Sequence, residues 1–287
     1  MPWRLWISLT LFATGAAGCQ RDTPTTPTPP GEVFYSAIGA SDGIGFGGSV
    51  PCVPFDPDCP SGTGYVYLLK RRLQGEGMTV TLSNRSVPGS VLSPAIQTLS
   101  RDIGRDILSN FLDQAAPFVA SNSTHVTIFA GGNDANVIAQ NIRAGRGSAD
   151  IRAFIDQHVS QWGTDLSELI RRVRVRAPTT RIVAYNLPNL GAAPYVASLS
   201  TQERSILQRI AVSLTDRINA LASQNVIVID LMCESRLYDI SRFSSDGFHP
   251  SDAGYALMAE IAYPALRNGT ATTPSASCAQ RTLLPVF

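Results

Sequence analysis

The sequence has almost no excess charge of either sign: Lys+Arg 23 stand against Asp+Glu 22 in 287 residues, a formal net charge of +1. That balance offers no basic stripe for nucleic acid and no acidic tail. The one basic cluster, Arg171, Arg172, Arg174 and Arg176, precedes Pro178, where cations suit the negative end of a helix dipole. Long apolar runs are missing too. The longest near the N-terminus, Leu5 to Phe12, is too short to span a bilayer. Histidine is scarce, with three in the chain. None adjoins Asp56, Asp58 and Cys59, so that acidic pair matches no common zinc spacing and no metal or cofactor is expected.

What is present is enough apolar residue, 44% against 16% charged, to bury the core of one domain, expected over residues 32–287. Ahead of it, Met1 to Arg4 is weakly basic, Leu5 to Phe12 apolar and Ala13 to Gly18 rich in small residues. That is the layout of a signal peptide over residues 1–18. Ala16-Ala17-Gly18-Cys19 resembles the lipobox of bacterial lipoproteins, with Ala where Leu is usual. The resemblance implies a lipidated Cys19 as first mature residue, an exported protein of the bacterial cell envelope, and a membrane contact through that anchor. The alternative is ordinary cleavage after Ala17 or Gly18. Residues 20 to 30, rich in Pro and Thr, suit an extended tether, so that residues 19–31 link anchor to domain.

Export also decides how the cysteines count. Cys52, Cys59, Cys233 and Cys278 remain once Cys19 is set aside, an even number that in an oxidising compartment implies two disulfides. Three connectivities are possible; sequence proximity favours Cys52 with Cys59 and Cys233 with Cys278.

From Glu32 onward, short apolar runs alternate with helical periodicity. Strands are expected at Val33–Ile38, Met78–Leu82, His125–Ala130, Arg181–Leu187 and Val226–Leu231. Between and after them, helices are expected at Tyr65–Leu73, in one or two pieces over Pro94–Phe118, at Asp134–Arg143, Ala149–Val175, Thr201–Ala222 and Ser251–Tyr263. Alternation of this kind predicts an α/β fold with a parallel sheet covered on both faces. Functional residues then belong beyond the carboxyl ends of the strands.

Four stretches fall there. Asp246 and His249 sit three apart in Ser-Asp-Gly-Phe-His-Pro-Ser-Asp, residues 245 to 252, close enough for the carboxylate to accept the Nδ1 hydrogen and leave Nε2 as a base. A base needs a nucleophile, and Ser41 follows the first strand in Gly39-Ala40-Ser41-Asp42-Gly43, where flanking glycines permit a sharp turn and an exposed hydroxyl. Asn133, in Gly131-Gly132-Asn133-Asp134, follows the third strand; its amide can donate to an oxyanion, or the segment can simply cap a helix. Gly89 follows the second strand after Pro88 and can offer a backbone N–H or merely a turn.

Two other patterns fail on context. Gly39 to Gly43 fits the G-x-S-x-G nucleophile elbow, but that elbow belongs after several strands, not the first. Gly43, Gly45 and Gly48 fit G-x-G-x-x-G, yet run into Pro51, Cys52, Pro54 and Pro57 instead of opening a helix. His125 at a strand start and His158 in a helical stretch have no carboxylate placed as Asp246 is. Asp42, Asn136 and Tyr255 are candidates for the site's surroundings.

In order, these blocks resemble the SGNH, or GDSL, hydrolases from about Val33 to Tyr263. The resemblance implies a three-layer α/β/α sandwich with a five-stranded parallel, flavodoxin-like sheet, and hydrolysis of lipid, short-chain or sugar-acetyl esters without a metal. It implies Ser41 as nucleophile, His249 as base, Asp246 as its orienting acid, and Ser41, Gly89 and Asn133 as the oxyanion hole. The family's usual Asp before the nucleophile is Ala40 here, with Asp42 after it, which implies a rearranged loop. Walls from Gly43–Pro60 and Leu190–Leu199 would frame the pocket for a small-molecule, lipid or glycan ester. Two alternatives stay open: an inactive envelope glycan- or lipid-binding lipoprotein on the same fold, and an acyltransferase sharing the triad.

Overall fold

A computed structural model describes residues 31–284; the expected signal peptide, Cys19 and the tether up to residue 30 lie outside the described residues. Five parallel strands form one sheet: β1 (Glu32–Ile38), β2 (Thr79–Asn84), β3 (His125–Phe129), β4 (Arg181–Tyr185) and β5 (Ile227–Ile229), in the order β2-β1-β3-β4-β5. Register runs unbroken along β1 and β2, from Glu32 opposite Thr79 to Ala37 opposite Asn84.

Helices cover both faces, and the strand residues show why. Val33, Tyr35, Ala37, Val183, Tyr185 and Ile229 pack into one apolar cluster with α2 (Tyr65–Gly75) and α8 (Asp252–Asn268). Their alternates, including Ile38, Val126, Ile128, Ile182 and Val228, pack into the other. That second cluster draws on α3 (Pro94–Arg101), α4 (Phe111–Gln114), α5 (Gly132–Arg143), α6 (Ile151–Arg176) and α7 (Thr201–Asn219). Two-sided burial is what a near-continuous apolar strand requires. In a doubly wound sheet of this order the crevice lies between β1 and β3, where consecutive connections leave in opposite directions.

The expected elements are present with shifted ends, and two ends carry information. The stretch Pro94–Phe118 divides into α3, α4 and a single 3-10 turn, Ala116–Phe118, because Gly104 with φ 72° breaks the run. The last helix does not stop at Tyr263 but continues through Pro264 to Asn268. Ala265 and Leu266 are fully buried, and that burial outweighs the hydrogen bond a proline forfeits. The Thr270 N–H bonds the Pro264 carbonyl beyond the helix end.

Both disulfides are the proximal pairs, Cys52–Cys59 and Cys233–Cys278. The basic cluster at the end of α6 is structural. Arg171 and Arg172 pair with Glu168, Arg174 donates to the Gln224 and Asn225 carbonyls, and Arg176 donates to the Val119 carbonyl.

Candidate active site

Ser41 opens a four-residue helix, α1 (Ser41–Ile44), directly beyond β1. Gly43 is forced there: a Cβ would collide with the Ser86 side chain of the loop after β2. The Asn84 side chain also donates to the Gly43 carbonyl at 2.8 Å, tying the α1 turn to the end of β2. The hydroxyl is not exposed as the flanking glycines suggest. Ser41 is 6% accessible, with His249 on its hydroxyl and Phe46 packed on the His249 ring. Phe46 lies 4.7 Å, centroid to centroid, from the His249 ring, and its own carbonyl accepts from the Tyr255 hydroxyl at 2.6 Å.

Opposite Ser41, residues 242 to 251 fold back on themselves. The Ser244 N–H bonds the His249 carbonyl at 2.8 Å and the Ser251 N–H bonds the Arg242 carbonyl at 2.8 Å. Asp246 is held inside this loop as an acceptor. Its Oδ1 takes the Ser244 hydroxyl and the N–H groups of Phe248 and His249 at 2.8 to 2.9 Å, and its Oδ2 takes His249 Nδ1 at 2.6 Å. Burial alone would push this carboxyl up, but those four bonds prevail and hold it at about 2. A carboxylate only accepts, so Nδ1 carries the proton and Nε2 of the neutral ring presents its lone pair. Ser41 Oγ lies 2.8 Å from that Nε2, and the hydroxyl is therefore the donor.

Asn133 and Gly89 line the groove beside Ser41. Asn133 enters from α5 and spends one amide hydrogen on the Ser90 carbonyl at 2.9 Å, leaving the second free to point elsewhere. Gly89 adopts φ 78°, and the described residues give no acceptor to its N–H or to that of Ser41. Asp134 ties these pieces together: fully buried, its Oδ1 accepts from the Leu92 N–H at 2.8 Å and from Trp162 Nε1 at 3.0 Å. Burial pushes this carboxyl up to about 6 against those two bonds.

Asp42, the residue in the unusual position after Ser41, lines a mostly apolar cavity of about 60 Å³ beside Ala40, Phe129, Leu187, Leu231 and Phe248. Burial raises its carboxyl most and the nearby Asp246 adds to that, whereas a protonated His249 would oppose both. An open groove of about 390 Å³ adjoins this cavity, sharing Asn133 and Phe248 with it and carrying Ser41, Gly89 and His249. Phe46 and Tyr195 in that groove, with Leu190 in the cavity, come from the two stretches expected to wall the pocket. Asn136 lines the groove and accepts the Tyr195 hydroxyl at 3.0 Å.

Three lining residues went unnoticed in the sequence. Phe248 meets both Tyr195 and His249 edge-on at 4.9 Å, and Arg105 and Gln140 stand in the groove wall. Phe248 could have been suspected from its place beside His249; a lone Arg or Gln gives no local signal. His125 and His158 lie elsewhere. His125 stands beside Arg181, where burial first and that cation second hold it down at about 4. His158 packs edge-on against Phe154 within α6. No cluster of metal-ligating side chains occurs among the described residues. An arrangement with a hydroxyl on an imidazole, an imidazole on a carboxylate, and unsatisfied N–H donors around one groove can carry out acyl transfer.

Residues 42–257 match the GDSL-like Lipase/Acylhydrolase family. Among solved structures, a lipase from a goat rumen metagenome is similar, with 19% identity, a TM-score of 0.54, and 79% of this chain and 94% of that one covered. An extracellular lipase from Streptomyces rimosus shows 17% identity and a TM-score of 0.54, covering 83% and 100%. Phospholipase A1 from Streptomyces albidoflavus NA297 shows 18% identity and a TM-score of 0.50, covering 78% and 94%. At such identities these three show a shared fold. No curated protein matches the chain.

Proposed function

The chain belongs to the GDSL-like lipase/acylhydrolase family, and on that basis we propose that it is a serine esterase working through Ser41, His249 and Asp246. The observation that carries the reading is the unbroken relay from Ser41 Oγ through His249 to Asp246, at 2.8 and 2.6 Å.

In the first half-reaction Ser41 Oγ bonds to the ester carbonyl carbon as its proton passes to His249 Nε2. The carbonyl oxygen becomes an oxyanion facing the Ser41 and Gly89 N–H groups and the free hydrogen of the Asn133 amide. Collapse breaks the bond to the alcohol oxygen, which leaves with the proton from Nε2. Water then attacks the acyl-serine, gives its proton to Nε2, and the acid departs as Oγ recovers that proton. Asp246 stays ionised throughout and keeps the ring in the right tautomer. The apolar cavity beside Ala40 and Phe248 favours a short acyl group. In the same reading the protein is exported and held to the envelope by lipid on Cys19; the two disulfides support an oxidising compartment.

A fluorophosphonate probe tests the chemistry directly. Peptide mapping of the full chain should find one adduct, on Ser41, that is lost in His249→Ala. Folded protein that takes no adduct, or takes it elsewhere, would overturn the esterase reading in favour of a binding protein.

A further inference from the structure

Arginines on this surface are mostly paired. Arg143 meets Glu203, Arg146 meets Asp102, Arg236 meets Glu234 and Glu260, and Arg267 meets Glu76. Arg105 differs. Half-buried in the wall of the groove that holds Ser41 and His249, its guanidinium has no hydrogen bond or ion pair among the described residues. Asp102, three residues before it, is engaged by Arg146 at 3.1 Å. Asp106, its neighbour in sequence, is exposed and does not line the groove.

The turn that presents Arg105 is fixed. Gly104, with φ 72°, reverses the chain after α3. The Arg105 N–H then bonds the Ser100 carbonyl at 3.0 Å, and the Ser100 hydroxyl returns a bond to the Arg105 carbonyl at 2.8 Å. Gln97 holds the next residues through the Ile107 carbonyl at 2.8 Å. These bonds fix the backbone from which Arg105 reaches the groove wall.

No Asp or Glu lines the groove; beyond Ser41 and His249 its polar walls, Asn133, Asn136, Gln140 and Tyr195, are uncharged. In a chain of net charge +1, Arg105 is then the one permanently charged side chain among the residues lining this groove. The mostly apolar cavity suits the acyl group, which leaves the more open groove for the alcohol.

We propose that Arg105 reads an anionic group, carboxylate or phosphate, on the alcohol portion of the ester, an inference that rests on Ser41 being the nucleophile. Guanidinium forks bind either anion through paired N–H donors. The preferred substrates are then acidic esters, not neutral ones.

The test compares butyrate esters of glycerol, glyceric acid and glycerol phosphate on wild-type protein, Arg105→Gln and Arg105→Lys. Arg101→Gln serves as a control for general surface charge, since Arg101 is exposed and lies outside the groove. The wild type should favour an anionic ester by roughly five- to tenfold in kcat/KM, as expected for a partly screened charge pair. That preference should vanish in Arg105→Gln, persist in part in Arg105→Lys, hold in Arg101→Gln, and weaken as salt is raised. Which anion gains more separates a phosphate reader from a carboxylate reader. An anionic-to-neutral ratio that is the same in wild type and Arg105→Gln overturns the proposal. Calorimetric titration with glycerol phosphate and glycerate keeps the two readings apart. If no ester is turned over, the esterase reading fails, and Arg105-dependent binding still upholds the anion site. Binding that is absent, or unchanged in Arg105→Gln, sinks it.

Discussion

Single residues of the site are distinguished by the moment at which each acts. Asn133 already donates to Ser90 in the resting protein, so only its second hydrogen is available to an oxyanion. Asn133→Ala should lower kcat by roughly a hundred- to a thousandfold with little change in KM, read in steady-state ester hydrolysis. In the proposed mechanism His249 is the base, and His249→Ala should lower kcat by roughly a millionfold in the same assay. Asp134 acts on stability. Its carboxyl at about 6 lies above the ordinary carboxylate value of 3.8, so the folded protein holds this proton more tightly than the unfolded chain. Its contribution is therefore fully present below the ordinary value and is lost as pH rises through 6. Asn keeps the acceptor for Leu92 and Trp162 without the charge. Denaturant titrations should show Asp134→Asn gaining about 3 kcal/mol relative to wild type between pH 3 and pH 8.

Among the helices and strands, the site depends on how tightly α1 is set against the loop after β2. Gly43→Ala should cost about 1–3 kcal/mol in chemical denaturation and slow turnover as well, because the Ser86 contact must give way by moving the turn that carries Ser41. Secondary structure is also where the sequence is most readable. Strands buried on both faces leave apolar runs, and β1 to β4 lie where those runs are; β5 shrinks to Ile227–Ile229 because its flanks are claimed by other bonds. Leu231 and Met232 give their N–H groups to the Asn186 side chain. Asp246 and His249 are legible because one short turn holds both partners. Ser41 is legible only through the glycines around it, and its burial is not, since the imidazole on its hydroxyl comes from a segment 208 positions away. Arg105 has no signature in one dimension. Its meaning comes from what is absent around it in space.

Across the whole molecule, the two disulfides divide stability from activity. Cys233 and Cys278 are 45 positions apart and Cys52 and Cys59 are 7 apart. On the chain-entropy view these closures contribute roughly 4 and 2.5 kcal/mol. Replacing both members of the longer bridge by Ser should therefore give the larger loss in denaturant midpoint. The shorter bridge closes the loop that follows Phe46, and the Ser49 N–H ahead of it is bonded to Asp252 on α8 at 2.8 Å. Its removal should cost less stability but a greater share of turnover, measured on protein shown to remain folded. The span between the two reacting side chains also orders events in time. Ser41 and His249 stand 208 positions apart, and a ribosome makes the serine long before the histidine. While those 208 residues are being added, the emerging chain carries the Ser41 hydroxyl with no imidazole beside it. On the proposed mechanism that hydroxyl stays inert until the segment carrying His249 has been made and folded onto the sheet.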